Sequence, residues 1–505
     1  MVKIDRNPTF GEIERSKALP LPVASTLELN RHPHKGTKAL KAGPTPQTPE
    51  LRLRFDGGTI LIEGLDEGND EGLPGLRFDP RCRLYRAEAI YYRALVEQLR
   101  ERKRPYVDEA RAYEPQKWSI RVAREAFPHQ VEGLAAWWKA GGRGVVVLPT
   151  GTGKTHLANL AIEKTKRPTL IVTPTIDLMN QWYDELTLAF ETEVGLIGGG
   201  SHDVRPISVT TYDSAHMHMD RLGNRFGLIV YDECHHLPGP TYGQSAVCAI
   251  APFRLGLTAT PERADLAHSQ LDTLIGPIVY RREITQLRGE FLAEYRIESL
   301  FVNLTDQDRQ RYEQARELYR TFLSMAGIDM RRPNAWGEFL FQAHRSPEGR
   351  QAYLAYREQR NLALAAPAKL NLLARLLERH NGDRILIFTH DNATVYKIAR
   401  QFLVPVITHQ TKTKERREVL LRFNSGEYPI VATSRVLNEG VNVPEANVAV
   451  ILSGSGSVRE HVQRLGRILR KSGTKEATLY EVVTRGTVEE FTSSRRRQHS
   501  AYDGN

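Results

Sequence analysis

A short β-branched apolar run, Val145-Val-Val-Leu148, passes directly into Pro149-Thr-Gly-Thr-Gly-Lys-Thr155. The run reads as a buried parallel strand. Gly151 and Gly153 let the backbone turn so that several N–H groups face one anion, and a helix from about Lys154 through Lys164 adds its positive end. That is chemistry for a triphosphate. Thr150, Gly151, Thr152, Gly153 and Lys154 would cradle the phosphates, Lys154 reaching the β and γ groups, and the Thr155 hydroxyl would ligate magnesium. A second strand, Phe226–Tyr231, ends in Asp232-Glu-Cys-His235. A carboxylate at the end of a strand beside such a loop can hold magnesium, so Asp232 is the second metal candidate. Glu233 is placed to orient and deprotonate a water. Far downstream, Gln463-Arg-Leu-Gly-Arg-Ile-Leu-Arg470 reads as part of a helix from Ser457 with Val458, Val462, Leu465 and Leu469 on one face. Arg467 and Arg470 are neighbours on that helix. Carried to a γ-phosphate, they would stabilise transition-state charge.

These pieces need a scaffold of strands alternating with helices. Runs Arg384–Phe388, Val404–Thr408, Ile430–Thr433 and Val448–Leu452 alternate with helical segments, the mark of a parallel sheet and an α/β fold. Leu51–Phe55 and Thr59–Ile62 read as a strand pair, followed by a helix from about Arg86 to Arg102. Thr305-Asp-Gln-Asp308 is a capping-box-like helix start. Tyr312, Ala315, Leu318, Tyr319, Phe322 and Leu323 then recur at helical spacing, to an end near Gly327. Arg331, Arg332, Trp336, Phe339 and Phe341 follow, then a helix to about Leu364. Periodicity alone favours a helical linker whose aromatics are core.

The chain has 505 residues, room for about three domains. Its net charge of +10, with a pI near 9.4, favours polyanions through phosphate contacts. Cys82, Cys234 and Cys248 show no paired spacing, which argues against a disulfide-stapled secreted protein, a cysteine-built zinc site and a four-cysteine iron–sulfur cluster. His216 with His218, or His235 with His236, read as polar loop residues rather than metal ligands. No apolar run reaches the roughly twenty residues of a membrane span. A cytoplasmic, nucleoid-associated protein is expected, with no membrane partner.

The ordered set Gln130, Leu148–Thr155, Thr173-Pro-Thr175, Thr210-Thr-Tyr212, Asp232-Glu-Cys-His235, Thr258-Ala-Thr-Pro261, Gly440-Val-Asn-Val-Pro444 and Gln463–Arg470 resembles the superfamily 2 helicases. The stretches Leu222–Phe226, His235–Pro238, Ala251–Leu257 and Ser453–Ser457 resemble the XPB-type members, archaeal forms above all, from about Phe55 to about Arg497. The resemblance implies two RecA-like parallel-sheet motor domains with a small α+β N-terminal domain and a helical thumb insertion. It implies ATP with magnesium between the motor domains and DNA, double- or single-stranded, held mostly through its backbone. It implies translocation from three-prime to five-prime in excision repair or transcription-linked opening. Gln130 would read adenine, Thr258 and Thr260 would couple the ATP site to the DNA path, and Gly440 and Asn442 would link the second motor domain to nucleotide. Gln463, Arg467 and Arg470 would complete the catalytic site.

Composition marks residues 1–50 as a Pro-rich basic arm expected to be disordered, and the resemblance implies a damage-recognition-like domain (51–114) and a first motor domain (115–290). A linker and DNA-gripping thumb (291–366), a second motor domain (367–487) and a basic tail (488–505) follow. Three positions depart from the family: Leu148 replaces the usual first glycine of the loop, Asn442 replaces a frequent aspartate, and Ala264 replaces the glutamate of an Arg-Glu-Asp motif. The last bears on strand opening more than on translocation. An RNA helicase or restriction-type motor shares the core motifs. A nucleotide-gated clamp delivering a partner nuclease is the reading from another class.

Overall fold

The structure is a computed structural model that describes residues 50–263, 265–289, 291–332, 334–434, 446–454 and 476–496. They form three sheets, two of them dominated by parallel strands.

The first large sheet has eight strands in the order Ile278–Arg281, Arg143–Val147, Phe253–Thr258, Leu228–Asp232, Thr169–Thr173, Ile207–Thr211, Gly195–Gly198 and Ser201–His202. All neighbours are parallel except the last pair. Strands buried on both faces need continuous apolar side chains. Val145, Val146, Ile171, Val172, Ile229 and Val230 meet that need, each 1% exposed or less. The second sheet has six parallel strands, ordered Glu294–Val302, Glu476–Thr484, Val448–Ile451, Ile385–Phe388, Ile430–Thr433 and Val406–Ile407. The four strands expected from alternation are present. Two more, Glu294–Val302 and Glu476–Thr484, join them, so the first stretch read as linker is an edge strand of the second α/β domain.

The N-terminal sheet, Arg77–Asp79, Leu84–Glu88, Thr59–Glu63, Leu51–Asp56 and Tyr106–Asp108, covers the helix Tyr92–Glu101. The helix expected from about Arg86 starts later, because Arg86, Ala87 and Glu88 pair antiparallel with Leu61, Ile60 and Thr59. This domain is fastened to the first large sheet: Arg93 donates to the carbonyls of Gly141 (2.6 Å) and Pro252 (3.0 Å), and Ile250 enters its core.

Between the strand Glu294–Val302 and the helix Pro367–Arg379 stand the helices Asp306–Met325, Ala335–Ala343 and Pro347–Leu364. Thr305 caps the first through its hydroxyl, and Gly327, at φ +66°, ends it, as expected. The aromatics divide. Phe339 is fully buried against Tyr319, Phe322 and Tyr356, whereas Phe341 is 63% exposed with Arg345 over its ring. The tail also holds structure, a helix over Val488–Arg496 that packs on the strand Glu476–Thr484.

Candidate nucleotide site

The candidate residues meet at the carboxyl ends of the central strands in the first large sheet, where such sheets open a crevice. Leu148 N–H donates to the Thr258 carbonyl (3.0 Å), which locks the start of the loop to the neighbouring strand. Gly151 (φ +91°) and Gly153 (φ +79°) take left-handed conformations that a side chain disfavours. At Gly153 a Cβ would also collide with Gln130 Nε2. Gly153→Ala is therefore expected to displace Gln130 and weaken nucleotide binding at least tenfold, measured by equilibrium titration.

Gln130 sits beneath this loop. Its Nε2 donates to the carbonyls of Thr152 (3.0 Å) and Gly153 (3.2 Å), and its Oε1 accepts from Phe127 N–H (3.0 Å). The amide expected to read adenine is thus occupied by the loop backbone. His129 grips the same loop, with Nε2 2.9 Å from the Thr152 carbonyl. A carbonyl only accepts, so Nε2 carries the proton. Thr152 closes the turn by donating to the Pro149 carbonyl (2.8 Å), while the buried Thr150 hydroxyl has no hydrogen-bond partner among the described residues.

Lys154 and Thr155 open the helix Lys154–Thr165. Lys154 Nζ donates to the Leu148 carbonyl (3.2 Å) and lies 3.8 Å from Glu233 Oε1. Asp232 ends its strand with the carboxylate buried. Its Oδ2 accepts from Trp182 Nε1 (2.8 Å), its Oδ1 from Glu233 N–H (3.0 Å), and its carbonyl from the Tyr212 hydroxyl (3.0 Å). Glu233 takes φ +46°, rare for a residue with a side chain, and such strain collects at functional sites. Thr258 donates to Glu233 Oε2 (3.3 Å) and contacts His235 Nδ1 (3.0 Å), while Thr260 N–H donates to Thr258 Oγ1 (3.2 Å). Arg263 fixes the rear by donating to the His235 carbonyl (2.8 Å) and pairing with Asp265 (2.6 Å). Ala264, Gly440, Asn442, Gln463, Arg467 and Arg470 lie outside the described residues.

Burial, then the neighbouring Glu233 charge, pushes the Asp232 carboxyl up to about 6 against the pull of Lys154. The native state therefore holds this proton more tightly than the unfolded chain does. Stability falls as pH rises from about 4 to about 6 and stays reduced above that. The unaltered protein in EDTA and without nucleotide is expected to lose on the order of 1 kcal/mol of stability between pH 5 and pH 8 from this group, and Asp232→Asn to remove that pH dependence without raising absolute stability, because its NH2 must face the Trp182 or the Glu233 N–H. Thermal unfolding at the two pH values checks this.

Sequence reasoning did not anticipate Trp182 at this site, and it read Arg263 only as part of the Arg263-Ala-Asp265 stretch that bears on strand opening. Trp182 shares an apolar face with Met179 and Leu186 and reads as core; no sequence signal shows where its N–H points.

Three stretches match known protein families: residues 53–110 the XPB helicase damage recognition domain, 123–263 the res subunit of type III restriction enzymes, and 368–472 the helicase conserved C-terminal domain. Over 446 residues the chain is 39% identical to the DNA 3'-5' translocase XPB2 of Sulfurisphaera tokodaii, covering 88% of this chain and 99% of that protein. This chain belongs to the XPB family of helicases. A more distant XPB-family relative, the DNA 3'-5' helicase XPB of Kineococcus radiotolerans, is 30% identical over 77% of this chain and 64% of its own length. The crystal structure of the Pyrococcus furiosus Hef helicase domain superposes with a TM-score of 0.51 at 18% identity, over 73% of this chain and 98% of that one. The last likeness concerns the fold: two RecA-like domains. As in other XPB-family members, the activity is that of an ATP-dependent helicase. No described helix is long and apolar enough to cross a membrane, and no metal-holding cluster of His, Cys, Asp and Glu occurs among the described residues.

Proposed function

We propose that this XPB-family chain hydrolyses ATP to translocate on DNA from three-prime to five-prime, in excision repair or transcription-linked DNA opening. The observation that carries the reading is the linkage of Lys154, Asp232, Glu233 and Thr258 around one crevice. Lys154 pairs with the β and γ phosphates in exchange for its contacts with Leu148 and Glu233. Glu233 takes the proton of the attacking water and Thr258 orients it. Thr260 ties Thr258 to the chain leading toward Arg263, a route from the nucleotide to the DNA path. Arg467 and Arg470 close on the γ-phosphate, Gln463 beside them, and Gly440 and Asn442 connect the second RecA-like domain.

The donor set suits magnesium: a hydroxyl at Thr155 and a carboxylate at Asp232, hard oxygens both. The cation, when bound, neutralises charge on the phosphates. In adenine recognition the second lone pair of Gln130 Oε1 accepts from the adenine amino group, while donation by Nε2 needs it to give up a bond to the Thr152 or the Gly153 carbonyl. DNA is held mainly by phosphate contacts, as the positive net charge favours, and therefore with little sequence preference. The relatives carry names that fit: one from Arabidopsis thaliana is called a general transcription and DNA repair factor IIH helicase/translocase subunit. This chain matches 48% of that protein's length, and a nuclease or repair factor is the partner class that such a setting implies.

Lys154→Ala is expected to weaken ATP binding on the order of 100-fold, because charge-assisted bonds to phosphate are lost. Duplex DNA and single-stranded DNA should stimulate hydrolysis by the unaltered protein and RNA should not; equal stimulation by RNA would favour the RNA-helicase reading.

A further inference from the structure

The helix Ile176–Phe190 touches three separate parts of the molecule. Thr175, of the Thr173-Pro-Thr175 motif, caps it by accepting from Leu178 N–H (3.2 Å). In its first turn, Asp177 pairs with Arg416 of the helix Thr413–Ser425 in the second RecA-like domain, their side chains 18% and 14% exposed. Arg416 also donates to the Thr411 carbonyl (3.2 Å), which holds its guanidinium in place. The two helices flank a cleft of about 620 Å³. Five residues beyond Asp177, Trp182 is 2% exposed and donates its indole N–H to Asp232 Oδ2 (2.8 Å).

An indole N–H is a donor with no acceptor role, and burying it unpaired is costly. Its direction at a buried carboxylate is thus a specific arrangement, one that a phenylalanine in the same core would not make. The Asp232 carboxylate is held by two donors, Glu233 N–H on Oδ1 and Trp182 on Oδ2, so its plane is fixed and its remaining lone pairs are aimed. Five residues of helix span about 7.5 Å, less than two turns, so Asp177 and Trp182 ride on one rigid rod. A shift of the second domain that pulls Asp177 moves the indole as well, and hydrogen bonds weaken steeply once misaligned.

We infer that Trp182 is a positioning residue for Asp232, and that the helix Ile176–Phe190 ties this carboxylate to the second RecA-like domain through Asp177 and Arg416. The inference rests on the reading of Asp232 as the magnesium-bearing carboxylate. Partners that orient a metal-binding group typically change metal affinity by about 10–100-fold when removed.

The test is equilibrium binding of a fluorescent ADP analogue, titrated with magnesium, on the full chain without DNA. Trp182→Phe should raise the magnesium midpoint roughly tenfold and leave nucleotide affinity in EDTA unchanged. Asp177→Asn should raise it severalfold, and should add nothing in the Trp182→Phe background. Thermal unfolding in EDTA reports any loss of folding. If Trp182→Phe is destabilised, Trp182→His, which restores a ring N–H, must bring the midpoint back toward that of the unaltered protein. An unchanged midpoint in Trp182→Phe, no recovery with histidine, or an equal effect of Asp177→Asn in both backgrounds would overturn the inference. Asp232→Asn separates the two layers. If it binds magnesium and nucleotide normally, the metal reading of Asp232 fails. If it alone shifts the midpoint, only the role of Trp182 fails.

Discussion

Glu233→Gln should reduce DNA-stimulated ATP hydrolysis by about 10²–10⁴-fold while leaving ATP affinity within a few-fold, since general-base catalysis contributes on that scale. The substitution keeps side-chain length and volume, so the left-handed turn at φ +46° and the short helix Cys234–His236 that it starts should persist. Oε2 accepts from Thr258 at 3.3 Å, and the carbonyl oxygen of glutamine can accept the same bond. What disappears is a carboxylate able to take a proton from water, together with the charge facing Lys154 at 3.8 Å. Loss of that charge has a second consequence. Glu233 is the second cause, after burial, of the raised Asp232 carboxyl, so in the variant Asp232 ionises more readily and magnesium should bind to lower pH. Single-turnover hydrolysis and nucleotide titration at pH 6 and pH 8 separate the two effects. Wild-type turnover in the variant would remove Glu233 from the mechanism.

The parts of this site that were legible in the sequence are those whose chemistry is local. The strand before the loop announces itself by Val145, Val146 and Val147, and the loop by glycines that the observed positive φ values require. Asp232 and Glu233 follow a strand buried throughout, so their place at its carboxyl end was fixed by pattern alone. Long-range partners were not legible. Trp182 and Asp232 are fifty residues apart, and an indole on an apolar helix face looks like core until the bond is seen. Gln130 illustrates another limit: its amide engages Thr152 and Gly153 through a helix-start geometry centred on Phe127, which a resemblance to relatives does not reveal.

Boundaries failed where a segment's partner decides its state. Arg86–Glu88 continues smoothly into a run of helix formers, and only pairing with Thr59–Leu61 keeps it extended. Glu294–Val302 is half-buried at the sheet edge and carries charge at Glu294, Arg296 and Glu298, so it lacks the apolar continuity of a central strand. Its partner, Glu476–Thr484, lies nearly two hundred residues away.

Replacing Lys369 by methionine should destabilise the second RecA-like domain by about 3–5 kcal/mol, the range for stripping one partner from a buried ion pair. Lys369 and Glu489 are 2% and 1% exposed at 2.7 Å, on helices 120 residues apart in sequence. Lys369 Nζ also donates to the carbonyls of Leu452 and Val482 (3.2 Å), and Glu489 Oε2 accepts from Thr484 N–H (2.8 Å). The ammonium thus fastens the carboxyl ends of two adjacent strands, Val448–Ile451 and Glu476–Thr484, to the helices Pro367–Arg379 and Val488–Arg496. Methionine fills the space but leaves a carboxylate and two carbonyls without their donor. Glu489→Gln should cost less, because an amide oxygen still accepts from Lys369 and Thr484 and the buried charge that remains is single. A Lys369→Met/Glu489→Met pair should recover only part of the loss: the charges vanish together, but three backbone groups lose their side-chain partners. For a domain of this size the first variant should lower its unfolding midpoint by on the order of 10 °C, with the first RecA-like transition unmoved. Calorimetry with the two transitions resolved decides it. Full recovery in the double variant would mean that the backbone contacts of Lys369 contribute nothing, and that the pair alone holds the tail helix in place.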